Sequence, residues 1–284
     1  MYLSGSTDKM QMILNLIRSE YVDNVGLDTL VESLIPSVLE NLDPHSVYIP
    51  AKDFERVNSD LKSDFGGVGI QFSVSDDTVN VVSVVAGGPS SLLGVMPGDK
   101  IIKVDGKSFV GDTITNDLVM HTLRGEVGSS VDIAVKRGDM TLDFSIIRGV
   151  IPMTSVDVSY MLDSEIGYMR IDRFAEKTYE EMLKGIAKLK ADGCSTLIVD
   201  LRGNSGGLLD VVIKMCNEFL AAGDLIVYTE GAHQRREEAR ANGLGTCQQL
   251  GVAVLIDEYS ASASEIFAGA IQDNDRGTIV GRRS

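Results

Sequence analysis

The sequence predicts a multidomain chain of α/β and β-rich architecture: an N-terminal helical segment, a small β domain and a layered α/β core. Three observations carry this reading. Near the start apolar residues recur at spacings of three and four. From Phe65 short alternating apolar runs broken by glycine take over. After Pro152 strand-like and helix-like patterns alternate. The segments divide at residues 1–62, 63–149 and 150–284.

Met10, Ile13, Leu14, Ile17 and Tyr21 mark an amphipathic helix over residues 9–25, and a second helix over 27–42 stops at Asp43-Pro44. An ordered loop and a short helix over 53–61 follow. In the β segment, residues 79–85, 100–104 and 130–136 read as strands, 139–148 closes a hairpin, and 116–123 reads as a helix. The last segment runs strand 166–171, helix 179–192, strand 196–201, helix 208–222 and strand 252–256, the order of a layered core with crossover helices. Arg235, Arg236 and Arg240, interrupted by Glu237 and Glu238, read as a solvated helix face, and residues 231–245 as a mobile loop.

With 44% hydrophobic residues, the 284-residue chain can bury sizeable cores. Its formal charge of −15, from 41 acidic against 26 basic residues, argues against a nucleic-acid partner, because phosphate binding needs clustered Lys and Arg. Cys194, Cys216 and Cys247 are too few and too widely spaced for a disulfide framework or a zinc site.

Gly66-Gly67-Val68-Gly69-Ile70 precedes a strand, and its glycines free backbone N–H groups to turn toward an anion such as a terminal carboxylate. An extended peptide can then pair along that strand. The following run, Gly88-Pro-Ser-Ser-Leu-Leu-Gly-Val-Met-Pro-Gly-Asp-Lys-Ile-Ile-Lys-Val-Asp-Gly106, resembles the stretch that follows the carboxylate loop in PDZ domains. The resemblance assigns peptide binding to Gly67, Val68, Gly69 and Ile70, with Leu118, Val119 and Leu123 as groove-helix candidates.

Two serines compete as nucleophile. Gly203-Asn204-Ser205-Gly206-Gly207 matches the G-x-S-x-G elbow between a strand and a helix. An α/β-hydrolase built on it needs a downstream histidine, and only His233 follows, while His45 and His121 precede. Ser262 lies in Ser260-Ala-Ser-Ala-Ser-Glu265, directly after the strand 252–256. With Glu265 it fits the S-x-x-E capping box, but the exposed amides and dipole of a helix N-terminus also stabilise a developing oxyanion.

Leu42-Asp-Pro-His-Ser-Val-Tyr-Ile-Pro50, the PDZ run, Leu123-Arg-Gly-Glu-Val-Gly128, Val199-Asp-Leu-Arg-Gly-Asn-Ser-Gly-Gly-Leu-Leu209 and Asp257-Glu-Tyr-Ser-Ala-Ser-Ala-Ser-Glu-Ile-Phe-Ala-Gly-Ala-Ile-Gln-Asp273 together resemble the carboxy-terminal processing (tail-specific) proteases, in that family's order. The resemblance implies a crotonase-like α/β protease core and a Ser-Lys dyad. Ser262 takes the nucleophile's place and Asp273 that of a supporting carboxylate. Gly206 or Gly207, together with Ala263, provides the oxyanion amides, and Ser205 becomes a turn residue. No metal or organic cofactor is implied. Substrates are expected to be proteins or peptides with accessible apolar C-termini, and the location an exported one, the bacterial periplasm or envelope. The family's base lysine belongs to a Phe-Gly-Lys-Gly stretch past the nucleophile, whereas no lysine follows Lys214 here. These 284 residues are therefore expected to be inactive alone, and a catalytically silent PDZ adaptor is the alternative reading.

Overall fold

A computed structural model describes residues 6–43, 46–51, 54 and 61–284. His45 and most of the helix expected over 53–61 lie outside the described residues. The chain divides into two compact units, Met1–Asn58 and Ser59–Ser284.

The first unit holds α1 (Ser6–Glu20) and α2 (Leu27–Leu39). Pro36 lies inside α2, whose described residues are all at least partly exposed.

The second unit begins with β1 (Asp64–Gly67) and contains two hydrophobic cores. Around the first, β2 (Ile70–Ser75), β3 (Thr78–Val84), β4 (Lys100–Val104), β6 (Ser130–Arg137) and β7 (Met140–Ile147) form an antiparallel sheet in that order, with β5 (Lys107–Ser108) on β4 and β2 at the edge. The short α3 (Pro89–Leu93) and α4 (Asn116–Leu123) complete it. Val119 and Leu123, one helical turn apart on α4, are buried against Val79, Ile101 and Ile133. Asp99, with its side chain 1% exposed, accepts from Arg137 Nε and Nη2, both at 2.7 Å, and from the Met96 amide.

β8 (Gly149–Pro152) pairs antiparallel with β1 and leads into the second core. There β15 (Thr278–Gly281), β14 (Gly251–Ile256), β11 (Thr196–Asp200) and β10 (Ile166–Arg170) run parallel in that order, and β9 (Val158–Met161) closes one edge antiparallel. Parallel neighbours need crossover helices, and α5 (Thr178–Ala191), α6 (Leu209–Asn217) and α7 (Ala263–Asp273) provide them. Met182, Ile186 and Leu189, spaced four and three apart on α5, bury one stripe of that helix in a cluster with Met169, Leu197, Val199, Val252 and Val254 of the sheet. Arg276 sews the loops together by donating to the carbonyls of Phe219, Cys247, Gln248 and Leu250.

Residues 235–240 correct the sequence reading. Gln234–Arg240 is a strand, β13, paired antiparallel with β12 (Leu225–Gly231). On a strand, residues two apart share a face, so Glu238 takes both Arg236 (2.8 Å) and Arg240 (2.7 Å), and Arg236 lies over the Tyr228 ring. The expected mobile loop 231–245 is thus largely the second half of a hairpin. The three cysteines are free and buried, and burial pushes the Cys216 thiol well above its ordinary range.

Candidate active site

Parallel strands converge at their carboxyl ends, and in open α/β sheets ligands bind beyond those ends. Here β10, β11 and β14 deliver three turns to one place. The turn after β11 carries Arg202 to Gly207, the turn after β14 carries Asp257 to Ser262, and the segment after β10 carries Ile171 to Phe174.

Asn204, fully buried, ties the three together. Its Nδ2 donates to the Ile171 carbonyl (2.8 Å), its Oδ1 accepts from the Gly206 amide (2.8 Å), and its carbonyl accepts from the Ala261 amide (3.1 Å) and the Ser264 hydroxyl (2.8 Å). Ser260, also buried, donates its hydroxyl to the Leu201 carbonyl (2.9 Å) and accepts from the Asp257 amide (3.0 Å). The outer serines of the Ser-Ala-Ser-Ala-Ser run therefore fasten this turn to its neighbour, while the middle one, Ser262, is exposed.

Ser262 has φ 53° and ψ −114° at the N-cap of α7. A non-glycine residue at positive φ costs of order 1–3 kcal/mol and persists only where its surroundings hold it. Its amide donates to Glu265 Oε2 at 2.9 Å, as the capping spacing led one to expect. Ser205 is exposed as well, but it is not among the positive-φ residues and caps no helix, so the strained elbow geometry belongs to Ser262.

Gly206 packs directly on Ser262. A β-carbon on it would come within 2.8 Å of the Ser262 β-carbon and 3.0 Å of the Ala263 nitrogen. Phe174 donates to the Gly206 carbonyl (3.0 Å) and accepts from the Leu208 amide (2.7 Å), a parallel bridge that turns Gly207's own N–H away from Phe174. Of the two expected oxyanion glycines, Gly206 spends its N–H on Asn204. Ala263 is the first residue of α7, where amides have no intrahelical acceptor.

Asp273 is not brought to Ser262. It ends the 11-residue α7, about 16 Å along the helix from the N-cap at 1.5 Å per residue. The carboxylate at the serine is Glu265, which the spacing marked only as a cap. Its other oxygen, Oε1, accepts from the Ser284 hydroxyl at 3.0 Å. Lys214 is exposed on α6 and paired with Asp210 at 3.4 Å. His121 on α4 and His233 in the hairpin turn are both exposed.

Beside the site, burial alone would raise the Asp200 carboxyl, but the Arg202 guanidinium (2.6 Å) and the Tyr168 hydroxyl (2.6 Å) outweigh it and hold the group below the usual range. The Gly203 amide likewise lowers Asp257, joined by the Tyr259 amide and the Ser260 hydroxyl. Among the described residues, no cluster of three or more His, Cys, Asp or Glu stands ready for a metal, and no helix is long and apolar enough to cross a membrane.

In the β domain, Gly67, Val68 and Gly69 are buried and Ile70 half-buried at the start of edge strand β2. Of the groove-helix candidates only Leu118 presents its side chain, 40% exposed, because Val119 and Leu123 are in the core.

A mixed α/β core with a strained, exposed serine at a helix N-terminus is thus joined to a small antiparallel β domain that carries the Gly67–Ile70 loop. Residues 165–284 match the model of peptidase family S41 and residues 66–147 that of the PDZ domain. The chain is 36% identical to a carboxy-terminal-processing protease of Bartonella bacilliformis over 96% of its own length and 63% of the relative's. To a "Probable CtpA-like serine protease" of Staphylococcus haemolyticus it is 31% identical, over 97% and 55%. A solved photosystem II D1 C-terminal processing protease shares the fold, with a TM-score of 0.50 and 24% identity over 97% of this chain and 74% of that one. The match to peptidase family S41 thus covers the α/β core, and the chain spans roughly three-fifths of the length of these curated relatives.

Proposed function

We propose that the chain is the tail-binding and nucleophile-bearing part of a serine endopeptidase, in which the PDZ loop holds a substrate's C-terminal tail and Ser262 attacks a peptide bond. The observation that carries this is Ser262 itself: exposed, held at positive φ on the N-terminus of α7, with Gly206 against its β-carbon. The Ser262 Oγ adds to the scissile carbonyl while its proton passes to a base. The oxyanion forms against the Ala263 and Gly207 amides, the helix dipole adding to their field. The proton then goes to the leaving amine, and water hydrolyses the acyl ester.

The base follows from the family resemblance, a lysine in the Phe-Gly-Lys-Gly stretch. The contact from Ser284 to Glu265, and from Glu265 to the Ser262 amide, supports it, because polypeptide continuing from Ser284 starts one carboxylate away from the nucleophile. A neutral amine there requires desolvation. These 284 residues alone bind tails without measurable turnover, since general-base assistance is worth ~10²–10⁴-fold. Substrates are proteins with accessible apolar C-termini, met in the bacterial envelope.

The test is a version extended through the lysine stretch. Ser262→Ala abolishes peptide cleavage, whereas Ser205→Ala leaves most of it. The opposite pattern restores the α/β-hydrolase reading, and an extended wild type that binds tails but cleaves nothing selects the adaptor.

A further inference from the structure

We infer that Ser90 is a positioning residue of the PDZ loop, its hydroxyl aiming the Gly69 amide at the ligand's terminal carboxylate; this rests on the tail-binding reading above.

A trans peptide unit points its C=O and N–H in opposite directions. The Val68 carbonyl and the Gly69 N–H form one such unit. That carbonyl is held from the protein side twice, by the Ser90 amide at 3.0 Å and by the Ser90 hydroxyl at 2.6 Å. Val68 is 3% exposed and Ser90 fully buried, so the carbonyl is anchored inward and the Gly69 N–H is driven outward. The next unit repeats the arrangement, because the Gly69 carbonyl accepts from the Val85 amide at 2.9 Å on the β3 side. The Ile70 N–H is thereby turned to the unpaired side of β2, where an added peptide strand would lie.

Two successive amides on one concave side make an anion-binding nest. Gly69 at φ +75° permits the turn between them, and its surroundings leave little slack, since a β-carbon would lie 3.1 Å from Ile151 Cδ1. Alanine at position 90 would keep the backbone bond to Val68 and lose the hydroxyl bond. The loop would stay folded while its first amide loosened.

The test uses the chain as it is, with a peptide ending in an apolar residue and its C-terminally amidated twin, titrated against wild type and Ser90→Ala. Wild type is expected to prefer the free acid. Ser90→Ala should reduce that preference roughly two- to tenfold, as for the net loss of one hydrogen bond, and leave affinity for the amide unchanged. Ser90→Cys, a weaker donor, should fall between. Equal wild-type affinities would remove the carboxylate reading and this inference with it. Wild-type discrimination kept intact in Ser90→Ala, or both affinities falling together, would overturn the inference alone. Should Ser90→Ala not fold, amide NMR of the wild type decides: the Gly69 signal moves downfield with the acid and not with the amide, and an unmoved signal overturns it.

Discussion

The α-carbon of Gly206 lies against the side chain of Ser262, so closely that one added methyl would sit 2.8 Å from the Ser262 β-carbon and 2.8 Å from the Ala261 carbonyl. Gly206→Ala adds that methyl at φ +108°, where the obstructing atoms are fixed. We expect a loss of about 2 kcal/mol or more in urea unfolding. The control is Gly203→Ala, at φ +75° with nothing within 4 Å, which should cost only about 1 kcal/mol. Equal costs at the two positions would show that Gly206 is not packed on the serine.

Asn204→Asp keeps the size of the side chain and loses the donor to Ile171, while setting a carboxylate in a fully buried site. Asn204→Ala also strands the Gly206 amide. Each should destabilise by about 2–4 kcal/mol in denaturant melts. In the extended, active version the loss should fall on kcat more than on KM, because the turn that holds Ser262 is loosened while the PDZ loop is untouched. A change in KM alone would refute this positioning role.

The Asp99–Arg137 pair makes stability depend on acid. The Arg137 hydrogen bonds hold the Asp99 carboxyl below its ordinary range against the raising effect of burial. A depressed folded value means the contribution is fully present above the ordinary carboxylate range and is lost as pH falls through the folded value. Asp99→Asn should therefore be less stable than wild type by about 2 kcal/mol near neutrality, discounted because Arg137 is 28% exposed, and as pH is lowered from neutrality into acid the gap should hold down to the ordinary carboxylate value of 3.8 and close only below it, as pH falls through the lower folded value. Melting temperatures of both proteins across that range check it. A constant gap would place the loss in packing rather than in charge.

Patterning alone carried much of this protein. Residues 116–123 form the expected helix, and strands 79–85, 130–136 and 252–256 lie within a residue or so of Thr78–Val84, Ser130–Arg137 and Gly251–Ile256, because apolar spacing reports directly which face of an element is buried. The S-x-x-E spacing likewise put Ser262 at a helix N-terminus. Tertiary structure decided which groups there are spent. Asn204 and Ser264 lie 60 positions apart, and only their meeting commits the outer serine's hydroxyl and leaves the middle one exposed. The Gly206 amide is consumed by Asn204, a use that two adjacent glycines in a sequence cannot reveal. The 11 residues of α7 carry Asp273 away from the serine that Glu265 touches. The Arg-Glu run over 235–240 became a strand because Leu225–Gly231 paired with it. Local spacing encodes a residue's face, whereas its hydrogen-bond partner comes from another strand's turn, and in this site each partner arrives from a different one.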